Sequence, residues 1–135
     1  MRIVIDASVA VKWVLDEPNI DAATALREDE LIAPAFWLLE AASVLWRRSI
    51  KGEFDADEAC ELLFELLNAP VASLPIESYL NSALRLAIDL GHPVYDCLYL
   101  AVAIQHQTHV ITADRRFAAI SDRPEMAGRV RLLGS

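Results

Sequence analysis

Four carboxylates stand where a carboxylate is either costly or rigidly held. Asp6 directly follows the β-branched run Ile3-Val4-Ile5. Glu40 is the only charge between Phe36 and Trp46, and Phe36 and Val44, four residues to either side, share its helical face. Asp96 falls in the first turn of a helix that opens near Pro93, and Asp114 directly follows Val110-Ile111-Thr112-Ala113. Each has a plain structural explanation. Asp6 and Asp114 are the turn residues expected at strand ends, Glu40 can reach water from a helix edge, and Asp96 suits the positive end of a helix dipole. An ionised carboxylate on an apolar face is nevertheless costly unless it is paired or bound to a cation. Four of them gathered at one place would repel and raise each other's pKa values. Mg²⁺ or Mn²⁺, hard cations that prefer oxygen ligands, relieve that repulsion. Phosphodiester hydrolysis makes the best use of such a site. A carboxylate-held metal activates water and stabilises charge on the phosphate, and a second ion about 3.5–4 Å away can stabilise the leaving oxygen.

The elements that must position these residues alternate between β and α patterns. Arg2–Asp6, Leu31–Ala33, Val71–Leu74, Val110–Ala113 and, more weakly, Val130–Leu133 read as strands. Helical pieces fall at Val9–Leu15 and Ile20–Arg27, interrupted by Pro18. Ala35–Lys51 is a strong helix stopped by Gly52, and Asp55 with Glu58 is a capping pair that opens a helix to Asn68. Ile76–Leu90 closes at Gly91, and Pro93 opens a helix to His106. This alternation predicts an α/β domain with a mostly parallel sheet, in which ligands bind beyond the carboxyl ends of strands. That rule points at Asp6 and Asp114. In an extended strand Thr112 points the same way as Asp114, so its hydroxyl either orients a carboxylate or metal-bound water, or reflects β-propensity alone.

Composition bounds the class. The chain has 135 residues, 55% hydrophobic and 24% charged, with ten Gly plus Pro and a formal charge of −8. A disordered, collagen-like or linker-like chain is excluded, and a single domain over 1–135 is expected. Cys60 and Cys97 have no metal-binding spacing and lie in apolar helical patterns, so buried free thiols in a reducing cytoplasm are expected. No membrane span and no signal peptide are expected. The acidic balance speaks against a nucleic-acid partner in general. The segment from Asp114 onward carries +2, however, which leaves −10 on the rest. His92, His106 and His109 have no ligand spacing, and Asp57, Glu58, Glu61 and Glu65 read as a solvated helix face. Trp13, Trp37 and Trp46 are read as core, or else as a groove for a partner helix.

Four blocks carry a resemblance: Val4-Ile5-Asp6-Ala7-Ser8-Val9, Pro34-Ala35-Phe36-Trp37-Leu38-Leu39-Glu40, Tyr95-Asp96-Cys97-Leu98-Tyr99-Leu100-Ala101 and Val110-Ile111-Thr112-Ala113-Asp114. In order and spacing they resemble the PIN-domain nucleases, and most closely the VapC toxins of toxin–antitoxin pairs. The resemblance implies a three-layer α/β/α domain with a mostly parallel five-stranded sheet. It implies an Mg²⁺- or Mn²⁺-dependent endoribonuclease with Asp6, Glu40, Asp96 and Asp114 as the catalytic and metal-binding acids. Ser8 and Thr112 would support them. RNA is the implied substrate, a VapB-type antitoxin the implied partner, and a cytoplasmic homodimer the implied assembly. Some relatives carry a further acid after the last Asp. Here Arg115 and Arg116 follow it, either as phosphate contacts or as a solvated loop, and Lys12 is a weaker candidate that reads as a surface residue.

Two other acidic α/β folds fail on motif. A haloacid-dehalogenase-like phosphatase needs a second Asp where Ser8 stands, and a receiver domain needs paired acids and a late Lys. A non-catalytic PIN-fold RNA-binding or interaction module, or a DNA-directed nuclease, is the alternative within the fold.

Overall fold

The computed structural model describes residues 1–135. Five strands, β1 (Arg2–Ile5), β2 (Glu30–Pro34), β3 (Val71–Leu74), β4 (Val110–Thr112) and β5 (Val130–Leu132), form one sheet in the order β3-β2-β1-β4-β5. Every neighbouring pair is parallel, and Val4 is registered against Ile32 on one side and Val110 on the other. Ile3, Val4 and Ile5 are all buried, because a central parallel strand is covered on both faces. This is why β1 reads as an unbroken apolar run.

The chain starts in the middle of the sheet. It steps outward through β2 to β3, then returns past β1 to build β4 and β5 on the other side. Parallel crossovers are right-handed, so the reversal sends the two runs of helices to opposite faces and makes three layers. The first run holds α1 (Ala7–Ala10), α2 (Ile20–Ala25), α3 (Trp37–Ile50) and α4 (Ala56–Leu67). The second holds α5 (Leu80–Leu90), α6 (Val94–Gln105) and α7 (Arg115–Ala118). β1 and β4 are neighbours whose outgoing connections diverge, so a crevice opens beyond their carboxyl ends.

Local chemistry sets the helix ends near that crevice. Gly91 closes α5 at φ +63°, a left-handed conformation that glycine takes without a Cβ penalty. The chain then turns by 116° into α6. Cys97 through Ala103 are buried without interruption, because α6 lies between the sheet and α5. Asp55 and Glu58 form the expected reciprocal capping box at α4. Trp37 is buried, and its indole N–H donates to Ser73 Oγ at 2.9 Å, tying α3 to β3.

Several expectations need correction. Cys60 is exposed on α4, and only Cys97 is buried. The helix expected from Ala35 begins at Trp37, because Pro34 still belongs to β2 and the Ala35 N–H bonds Leu74 O. The first helical piece begins earlier than Val9, at Ala7, and tightens into a 3₁₀ turn over Val11–Trp13. Arg115 and Arg116 open α7 instead of lying in a loop, anchored by fully buried Phe117. Of the three tryptophans only Trp37 is deep core; Trp13 is half-buried and Trp46 is 63% exposed.

Candidate active site

The crevice beyond β1 and β4 is a cavity of about 540 Å³, and Asp6, Ser8, Glu40, Asp96 and Asp114 line it. Asp6, the first residue past β1, is buried. Ser8 Oγ donates to its Oδ1 and Thr112 Oγ1 to its Oδ2, both at 2.5 Å. Each hydroxyl also accepts a backbone N–H from the turn after β4. Ala113 N–H donates to Ser8 Oγ at 2.9 Å, and Asp114 N–H donates to Thr112 Oγ1 at 3.1 Å. With its acceptor side occupied by the backbone, each hydroxyl proton is directed at Asp6. Burial nevertheless pushes the Asp6 carboxyl up to about 7, against the lowering by those two hydrogen bonds, and the charges of Asp96 and Glu40 raise it further.

Glu40 lies in the first turn of α3 and is half-buried. The hydroxyl of Tyr99, a fully buried residue of α6, donates to Glu40 Oε1 at 2.6 Å. Burial raises the Glu40 pKa, the Tyr99 hydrogen bond opposes that, Asp96 adds to it and Arg47 lowers it. Burial, followed by the Glu40 charge, holds the Tyr99 hydroxyl far above its ordinary value, so it stays a donor.

Asp96, in the first turn of α6, shares a 2.7 Å hydrogen bond between its Oδ2 and His92 Nε2. The His92 ring stacks on Phe117 at 5.6 Å between centroids. Burial raises the Asp96 pKa above the usual range, His92 lowers it and Asp114 raises it. Asp114 is exposed and caps α7, accepting the Arg116 N–H on Oδ1 at 2.9 Å. Its turn-and-cap role and its place on the cavity wall therefore coexist.

Every residue of the expected acidic quartet thus faces one cavity, although no three His, Cys, Asp or Glu side chains stand close enough to form a ready-made metal cage. Ser8 and Thr112 both bond Asp6. Arg115 and Arg116 are exposed at the start of α7 and do not line the cavity. Lys12 is not the expected surface residue. It is buried beneath the turn that contains Pro18, and its ammonium donates to Pro18 O at 2.9 Å and to Glu17 at 3.3 Å.

Sequence reading missed four residues of this site: His92, Tyr99, Arg47 and Tyr95. Two left a signal. His92 lies only four residues before Asp96, in the turn that leads into α6, and Arg47 follows Glu40 by seven, on the same face of α3. Tyr99 meets Glu40 across 59 positions of chain, and no local pattern announces such a contact.

Known proteins share this architecture. The PIN domain family matches residues 3–123. The chain is 33% identical over 123 residues to Ribonuclease VapC3 of Pyrobaculum aerophilum, covering 87% of this chain and 93% of that protein. The crystal structure of PAE2754, also from Pyrobaculum aerophilum, superposes with a TM-score of 0.71 at 25% identity, over 97% of this chain and 83% of that one. VapC20 of Mycobacterium tuberculosis, described as a Sarcin-Ricin loop cleaving toxin, superposes at 0.66 with 16% identity, over 87% and 94% of the two chains. FitAcB of Neisseria gonorrhoeae superposes at 0.59 with 16% identity, over 98% and 96%. At that identity the last two bear on the fold alone.

Proposed function

The chain belongs to the PIN domain family, and from that premise we propose that it is a divalent-metal-dependent endoribonuclease, the toxin of a VapBC-type toxin–antitoxin pair. One observation carries the reading. Four carboxylates, from the ends of β1 and β4 and the first turns of α3 and α6, open into one cavity, and three of them are held above the usual carboxylate range by burial and by their neighbours' charge. A cation bound among these carboxylates would relieve the cost of ionising them.

Mg²⁺ or Mn²⁺ fits the donors. The set is all oxygen, and such ions keep several waters and take one or two carboxylates directly, so no preformed cage is needed. Asp6, Glu40, Asp96 and Asp114 would hold the metal. When bound, it supplies an activated water and stabilises charge on the phosphate. The chain's own residues do the rest. Ser8 and Thr112 hold both oxygens of Asp6 in one orientation. Tyr99 and His92 do the same for one oxygen each of Glu40 and Asp96. Such outer contacts set the direction of the carboxylates before any substrate arrives.

RNA is favoured as substrate because the relative aligned over most of the chain is named a ribonuclease. A VapB-type antitoxin, a homodimeric assembly and a cytoplasmic site of action complete the proposal by analogy with the family. The test is incubation of purified, antitoxin-free protein with total cellular RNA in Mg²⁺ or Mn²⁺. Discrete cuts that disappear with chelator and in Asp96→Asn are expected. Full cleavage by Asp96→Asn refutes that residue's role. No cuts by folded protein would refute the ribonuclease and point to a DNA substrate or a non-catalytic module.

A further inference from the structure

The cavity has a second wall that the hydrolytic chemistry does not use. Tyr95 directly precedes Asp96, lines the cavity and is 65% exposed. Its ring lies 6.0 Å from Phe36, and Phe36 lies 5.1 Å from Tyr99, whose hydroxyl holds Glu40. Three rings therefore run in a row from solvent to a catalytic carboxylate. Leu39, 69% exposed beside Glu40, continues the apolar surface. Arg47 is the one cationic side chain lining the cavity, and it stands in no ion pair.

We propose that this wall is a subsite for one unstacked nucleobase of single-stranded RNA, seated on Tyr95 and Phe36, with Arg47 taking an adjoining phosphate. The inference rests on the ribonuclease reading above and assigns the residues that would seat a base beside the carboxylates. With a net charge of −8 and Arg47 as the one cationic side chain in the cavity, the chain offers a polyanion little general attraction beyond what a bound metal would supply. Stacking on an aromatic face does not depend on charge and tolerates any base. The bases of a duplex are hidden within it, so only a loop, bulge or single strand can present one to Tyr95. A lone unpaired arginine beside the rings then gives the backbone one point of attachment and sets its direction. An apolar segment of a protein partner is the competing occupant. The wall's continuity with the carboxylates, and the free guanidinium within the same cavity, favour RNA.

The test uses single-stranded oligoribonucleotides with randomised flanks around one 2-aminopurine, and the Asp114→Asn protein to prevent turnover. Binding should quench the fluorophore. Tyr95→Ala should abolish the quench and Tyr95→Phe should keep it. Arg47→Ala should weaken binding about tenfold and flatten its salt dependence, with Arg47→Lys recovering part of it. In otherwise unaltered protein, Tyr95→Ala should raise KM about tenfold with kcat within about twofold, because a stack made equally in ground and transition states is lost from binding alone. Both side chains are exposed, and unchanged melting would verify the fold of the variants. Cleavage whose KM ignores both positions overturns the subsite and leaves the nuclease standing. Quenching without any cleavage by the unaltered protein leaves the subsite and overturns the nuclease. No quench with Tyr95 present, or loss in Tyr95→Ala of neutralisation by a protein antitoxin while RNA binding persists, overturns the proposal.

Discussion

Asp6 is charged only reluctantly, and this has a consequence for stability. Its ordinary pKa of 3.8 is pushed up to about 7 in the folded chain. Between those values the native state holds a proton that the unfolded state has released, so stability must fall as pH rises from about 4 through about 7. At about 1.4 kcal/mol per pKa unit, the loss attributable to Asp6 is of order 4 kcal/mol in chelator. Glu40 and Asp96 are shifted in the same direction and add to the slope. Thermal melts between pH 4 and pH 8 should therefore show a falling Tm, and Asp6→Asn should show a shallower fall; an equal slope in both proteins would refute the burial argument for Asp6. Tyr99 acts through Glu40. Tyr99→Phe removes only the hydroxyl that holds Oε1, so the circular dichroism spectrum should be unchanged while cleavage falls about tenfold or more. Direct titration with Mn²⁺ should show weakened affinity as well, a readout independent of turnover.

At the level of elements, capping and burial explain which expectations survived. The capping box at Asp55 and the glycine stop at Gly91 were legible because they are local chemistry: a side chain three residues from its partner, and a residue that takes φ +63° without a Cβ penalty. Gly91→Ala should cost about 1 kcal/mol in urea unfolding, through the left-handed penalty alone, because no neighbouring atom lies within 4 Å of the added Cβ. A loss far above that would mean that the turn into α6 itself has shifted. The α7 region was not legible. A four-residue helix shows no period, and what makes it a helix is the Phe117 side chain filling the core and the Asp114 cap on Arg116. The exposure of Cys60 was misread, and the core reading of Trp46 failed, for a related reason. Apolar residues on α3 and α4 exceed what the two helices can bury, and periodicity does not say which of them face outward.

For the whole molecule, the reversal of chain direction at β1 matters most. It places the end of β1 beside the end of β4, although about a hundred residues separate Asp6 from Asp114, and it brings the first turns of α3 and α6 over the same crevice. A cation bound there should link to folding: at roughly a hundredfold above its Kd, Mn²⁺ adds about 2.7 kcal/mol of stability. The Tm should therefore rise with Mn²⁺, return with chelator, and respond far less in Asp6→Asn; an equal rise in that variant would place the ion elsewhere. The sequence by itself determined the strands, the main helices, the parallel α/β class and the four acids, because each depends on local periodicity or on a charge set against apolar neighbours. Only the tertiary structure decided the hydroxyls of Ser8 and Thr112 on Asp6, Tyr99 on Glu40, the burial of Lys12 and the wall of Tyr95, Phe36 and Arg47. Apart from the Ser8 bond and the contacts of Lys12 with Glu17 and Pro18, those contacts depend on which segments the sheet order and helix packing bring together, and such long-range contacts leave no trace in the spacing of any one segment.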